Sequence, residues 1–119
     1  MPGSTVCVVG LGYIGLPTAT VLASVGYNVV GVDINQKVVD SINSGRPHIE
    51  ETGLGAMLAE MVSAGKLRAT CVPEQAGIFI IAVPTPLRER QADLSYVEAA
   101  AEAIAPVLKP NDLVILEST

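Results

Sequence analysis

Alternating strand and helix signals along the 119 residues predict an α/β fold, a doubly wound parallel sheet with helices on both faces. Three observations carry this. Four short runs are apolar on both alternating faces: residues 6–9, 29–32, 78–83 and 113–116. Unbroken β-branched runs of that length suit strands buried on both faces, as in a parallel sheet. Segments with helical period lie between them, and Gly26, Gly45 and Gly65 each follow a helical stretch, where a left-handed C-terminal cap belongs.

Taken in order, the run 6–9 is the first strand, and a helix opens behind it out of the glycine turn 10–15. After Gly26 comes the strand 29–32, then a helical stretch ending at Gly45. Leu54, Met57, Leu58, Met61 and Val62 follow at i, i+3, i+4, i+7 and i+8, one apolar stripe on a helix lying against a sheet. A weaker fifth strand is expected near 67–71, then the strand 78–83. Ser95-Tyr96-Val97-Glu98 has capping-box spacing and predicts the start of the last helix, with Val97, Ala101, Ile104 and Leu108 as its stripe. The run 113–116 reads as a central strand with right-handed crossovers before it, and only three residues follow. The expectation is one domain, residues 1–119, forming the front part of a larger protein.

Composition narrows the function. Half the residues are apolar, too many for a disordered chain. The apolar runs stop far short of the ~20 residues needed to cross a bilayer, and the N-terminus shows no secretory signal, so no membrane partner and a cytoplasmic setting are expected. A net charge of −5 argues against a nucleic-acid partner. Cys7 and Cys71 make no disulfide framework, and no Cys/His spacing reads as a metal site.

The strongest constellation is Gly10-Leu11-Gly12-Tyr13-Ile14-Gly15, which leaves a strand and opens a helix. Gly10 allows the tight turn, Gly12 lets a pyrophosphate approach the backbone, and Gly15 lets the helix pack close. The helix start offers unpaired N–H groups and a partial positive charge, and Pro17 is tolerated in that first turn. Asp33 stands at the end of the second strand, 18 residues beyond Gly15. A carboxylate there accepts hydrogen bonds from both adenosine ribose hydroxyls and repels a 2′-phosphate, so NAD is expected rather than NADP. FAD and S-adenosylmethionine proteins share the acid and much of the turn.

The stretches Gly10 to Ala19, Gly31-Val32-Asp33-Ile34-Asn35, Ile81-Ala82-Val83-Pro84-Thr85-Pro86 and Leu116-Glu117-Ser118-Thr119 resemble the UDP-glucose/GDP-mannose dehydrogenase family. The resemblance covers nearly the whole chain and implies a Rossmann-like NAD-binding domain. It implies an enzyme that oxidises the C6 alcohol of a UDP-sugar to the uronic acid, with two NAD consumed and a cysteine holding the intermediate. Asp33-Ile34-Asn35-Gln36, Asp93-Leu94-Ser95-Tyr96-Val97-Glu98 and Ile104-Ala105-Pro106-Val107-Leu108 look most like members acting on UDP-N-acetylmannosamine. Polysaccharide biosynthesis and a homo-oligomeric full-length protein are implied in the same way.

Carried over by position, the resemblance places Tyr13 and Ile14 at the cofactor diphosphate and Asp33, with Ile34, at the adenosine. Val83, Pro84 and Thr85 lie beside the cofactor at the end of the strand 78–83. Thr119 is an auxiliary catalytic group near the nicotinamide and the catalytic water. The family's nucleophilic cysteine, its lysine and its asparagine have no counterpart here, and Cys7 and Cys71 read as small packing residues. The segment alone is therefore expected to bind NAD weakly and catalyse nothing. Many relatives carry a basic residue five positions after the acid; here that is Val38, with Lys37 one place earlier. His48 reads as a surface or packing histidine, and Arg88-Glu89-Arg90 as a solvated charge cluster. Two other readings stay open: a regulatory NAD-sensing module without catalysis, and a β-hydroxyacid-type dehydrogenase.

Overall fold

In the computed structural model the described residues are 4–47 and 53–117. The chain runs β1 (Thr5–Val9), α1 (Gly15–Ser24), β2 (Asn28–Val32), α2 (Gln36–Asn43), α3 (Leu54–Ser63), β3 (Leu67–Thr70) and β4 (Ile78–Ile81). A two-stranded hairpin, β5 (Leu87–Arg88) and β6 (Gln91–Ala92), follows, then α4 (Ser95–Ile104) and β7 (Leu113–Leu116). Five strands form one parallel sheet in the order β3-β2-β1-β4-β7. The chain winds outward from β1 through β2 to β3, then returns to the other side of β1 for β4 and β7. This is a Rossmann-like doubly wound sheet, as expected.

Side-chain alternation assigns the two faces. Val6 and Val8 of β1 join Leu16, Ile42, Leu58 and Leu67 in a core on the side of α1, α2 and α3. Cys7 and Val9 join Val30, Phe79 and Ile81 with Ala100 and Ile104 of α4 on the other side. Phe79, the only phenylalanine, is fully buried there.

Gly26, Gly45 and Gly65 all have positive φ, at 110°, 79° and 75°. After each, the next N–H reaches back into the last helical turn: Tyr27 to Leu22 O, Arg46 to Ser41 O and Lys66 to Met61 O. Three helices thus stop by the same device.

Several expectations are corrected. The strand 78–83 ends at Ile81, because the chain enters Pro84 and Pro86, which have no N–H for the ladder. The strand at 67–71 is real but ends at Thr70, so Cys71 lies beyond it. Leu108 is not on the last helix. α4 gives way at Ile104 to a 3-10 turn containing Pro106, and Leu108 is extended and 44% exposed. Ala100 takes the buried position with Ile104, while Ala101 is exposed. Ser95 is the first helical residue rather than the cap. The Asp93 carboxylate accepts its N–H at 2.9 Å instead. Lastly, β7 is an edge strand among the described residues, since it pairs with β4 alone.

Candidate functional site

The turn after β1 is built around its glycines. Gly10 N–H donates to Val32 O at 2.8 Å and the residue takes φ 100°. A Cβ at Gly10 would lie 2.9 Å from the backbone of Ala82 and Val83, so the turn presses on the end of β4. A Cβ at Gly15 would lie 1.7 Å from the Gly10 carbonyl oxygen and 3.3 Å from Ala82 Cβ. Gly15 therefore serves the turn's own closure as much as helix packing. Around Gly12 a Cβ would meet nothing within 4 Å, which leaves open space for a ligand against the backbone. No side chain caps α1 and its first turn holds no acid; Leu16 N–H returns to Gly12 O at 3.1 Å. The amides ahead of that bond are the ones a helix start offers to an anion.

Asp33 sits at the far side of this turn, half-buried. Its Oδ2 accepts the Leu11 N–H at 3.2 Å and its Oδ1 accepts the Asn35 N–H at 2.9 Å. Its own N–H donates to Thr70 O at 3.1 Å, which ties the acid to β3. Each carboxylate oxygen has a further lone pair for a ligand hydroxyl. Leu11 is buried against Gly31, where a Cβ would lie 2.9 Å from both Leu11 methyls. Gly31 is thus part of the site's support. Only its place inside a β-branched run hinted at this.

A cleft of about 290 Å³ opens beside Asp33. Gly10, Asp33, Ile34, Val83 and Pro84, all expected at the site, line it together with Val9 and Val32. Cys71, Pro73, Tyr96, Ala99, Ala100 and Ala103 line it too, and sequence reasoning missed them. The alanines come from α4, 60 or more residues beyond the acid, and their small side chains leave a flat apolar wall. Among these described lining residues Asp33 alone carries a charge. The volume is at the lower end for ligand clefts, roughly 300–1,000 Å³, and matches a nucleoside better than a whole dinucleotide.

The other expected residues stand around this centre. Tyr13 is 76% exposed, Ile14 is half-buried at the start of α1, and Thr85 is half-buried after β4. Thr119 and His48 lie outside the described residues. Lys37 is exposed, and its N–H donates to the Asn35 side chain that caps α2. Cys71 donates to Gln36 Oε1 at 3.2 Å, and Cys7 is buried, which pushes its thiol pKa up and makes it a poor nucleophile. Arg88 is paired with Asp93 at 2.6 Å in the exposed hairpin, whose turn residues Glu89 and Arg90 both have positive φ.

A glycine turn under a helix start, an acid at the end of the next strand and a nucleoside-sized cleft at the reversal of strand order define a dinucleotide-binding domain. Residues 4–119 match the model of the UDP-glucose/GDP-mannose dehydrogenase family, NAD binding domain, and the chain belongs to that family. It is 66% identical over 116 residues to an NDP-N-acetyl-D-galactosaminuronic acid dehydrogenase of Ralstonia nicotianae, covering 97% of this chain and 27% of that protein. It is 55% identical to a UDP-N-acetyl-D-mannosamine dehydrogenase of Salmonella typhi, covering 100% of this chain and 29% of that one. The structure of a UDP-N-acetyl-mannosamine dehydrogenase from Staphylococcus aureus superposes with a TM-score of 0.95 at 47% identity, over 98% of this chain and 29% of that chain. The chain thus spans under a third of the length of the relatives it matches.

Proposed function

We propose that this chain is the NAD-binding part of an NAD-dependent sugar-nucleotide 6-dehydrogenase, the substrate half lying outside residues 1–119. The observation that carries the reading is the Asp33 carboxylate, held by the Leu11 and Asn35 amides between the open glycine turn and the apolar cleft. When bound, the coenzyme supplies a hydride acceptor. The chain's own residues bind and orient it. The amides of Gly12, Tyr13 and Ile14 face the diphosphate without a cation, as a helix start allows. Asp33 accepts the ribose hydroxyls. Ile34, with Ala99 and Ala103 of α4, encloses the adenine. Val83, Pro84 and Thr85 border the path toward β7, and Thr119 is assigned to the nicotinamide end on the family resemblance alone.

The oxidised group is proposed to be the C6 alcohol of a UDP-linked 2-acetamido sugar, with UDP-N-acetyl-D-mannosamine first. Relatives named for the mannosamine and for the galactosaminuronic acid support that class. A role in polysaccharide biosynthesis belongs to the same proposal. Homo-oligomerisation and a cytoplasmic site remain part of this proposal.

Two measurements test it. Calorimetric titration of the chain should show NAD binding and much weaker NADP binding. Asp33→Ala should weaken NAD about tenfold or more, as loss of two charged hydrogen bonds implies, and should narrow the gap to NADP. Equal affinities in wild type and variant would remove Asp33 from the site. NAD reduction by the whole protein should be strongest with a UDP-linked 2-acetamido sugar among UDP- and GDP-sugars. Turnover by residues 1–119 alone would contradict the placement of the chemistry elsewhere.

A further inference from the structure

The end of β7 is tied to the start of α1 by one contact across 99 residues. Thr18 Oγ1 lies 3.0 Å from both carboxylate oxygens of Glu117, and the hydroxyl donates to that carboxylate. The Glu117 backbone is fixed as well, since its N–H donates to Ile81 O at 2.9 Å and extends the β4–β7 ladder. Both residues are half-buried. The carboxylate is therefore held at a known place, at the C-terminal end of the strand beyond β4.

That place has a meaning if the coenzyme reading above holds, on which this inference rests. A dinucleotide lies across the C-terminal ends of the strands at the reversal point, one mononucleotide on each side. Asp33, fixed at the end of β2, marks that side for adenosine. The remaining side, over β4 and β7, is left for nicotinamide. The oxidised ring is a cation and the reduced ring is neutral. A fixed carboxylate on that side acts on the first and scarcely on the second.

We infer that Glu117, positioned by Thr18, is a specificity-determining residue that favours the oxidised coenzyme over the reduced one. A purely mechanical pin between α1 and β7 would strengthen both coenzymes alike. An electrostatic role changes their ratio, and the ratio is what separates the two. In a dehydrogenase such a bias loads the oxidised form and speeds departure of the reduced one.

The test is titration of NAD and NADH separately into the protein carrying this chain. Glu117→Gln keeps a hydrogen-bonding partner for Thr18 and removes the charge. It should shift the affinity ratio toward NADH by about fivefold, the size expected for one partly screened charge. Thr18→Val should shift it the same way by less, and Thr18→Ser should match wild type. A Glu117→Gln ratio equal to wild type, with both coenzymes binding, overturns the inference, as does an equal loss for both. Wild-type protein that binds neither coenzyme overturns the coenzyme reading itself, and this inference with it.

Discussion

At one edge of the sheet, β3 keeps Leu67 and Ala69 at 2% and 7% exposure. At the other edge, Leu113, Val114, Ile115 and Leu116 of β7 are 53%, 43%, 41% and 54% exposed. The order of apolarity in the sequence is the reverse, since β3 reads Leu-Arg-Ala-Thr and β7 reads Leu-Val-Ile-Leu. The difference lies in what covers each strand. α2 and α3 pack on β3, and the Asn43 amide imitates a further strand. Its Nδ2 donates to Ala69 O at 2.9 Å and its Oδ1 accepts the Ala69 N–H at 2.8 Å. An edge strand's free backbone groups invite pairing with another chain, and a side-chain amide blocks that. On β7 no such side-chain bond occurs among the described residues. Apolar sequence marks a strand, but burial depends on neighbours brought from elsewhere.

The comparison is broken most sharply at Asn43. Asn43→Ala removes both bonds to the edge and should cost about 1–2 kcal/mol, two exchanged amide hydrogen bonds discounted for partial solvent access. Urea denaturation of the chain measures this. A loss below about 0.3 kcal/mol would mean that water replaces the amide without cost. Asn43→Asp should fall between, since a carboxylate still accepts the Ala69 N–H but cannot donate to the carbonyl.

A smaller stability effect is expected at the bare edge. Ile115→Lys should change unfolding free energy by less than about 1 kcal/mol, as for an exposed position. It should nevertheless lower self-association of the chain at high concentration, read by sedimentation velocity, because a lysine on an edge opposes pairing. A stability loss as large as that of Asn43→Ala would show that β7 is packed better than its exposure indicates.

The smallest effect is at the hairpin, which relies on charge rather than cover. The Asp93 carboxyl is held down to about 2 by the Ser95 hydroxyl and N–H and by the Arg88 guanidinium. Its folded value lies below the ordinary 3.8, so its contribution is present above that pH and fades as pH falls toward 2. Asp93 is half-buried but its partner Arg88 is exposed, so the contribution to global stability is slight. A carboxyl titration by NMR checks it, together with the Ser95 amide shift, which should move with the same midpoint. A midpoint near 4 would mean that these bonds do not persist in solution.

Much of the candidate site was legible because its parts are local. Gly10, Gly12 and Gly15 lie within one turn, and Asp33 follows at a spacing set by one helix and one strand. The strands at 6–9 and 29–32 were marked by β-branched runs that need cover on both faces. The wall of the cleft was not legible, since Ala99, Ala100 and Ala103 look like ordinary helix-forming alanines. Nor was the end of α4, where Pro106 overrode an apolar period that continued through Leu108. The hairpin at 87–92 escaped notice because Glu89 and Arg90 adopt positive φ without a glycine to signal it.

By itself, the sequence determined which segments extend or coil, where three helices stop, and that a glycine turn stands near an acid. Those outcomes depend on backbone sterics, side-chain period and the missing Cβ of glycine, all properties of neighbours along the chain. Tertiary structure alone decided which amide guards the edge at β3 and that Thr18 meets Glu117. Such contacts join residues tens of positions apart. Their free energy exists only after the crossovers have closed, and no local pattern records it.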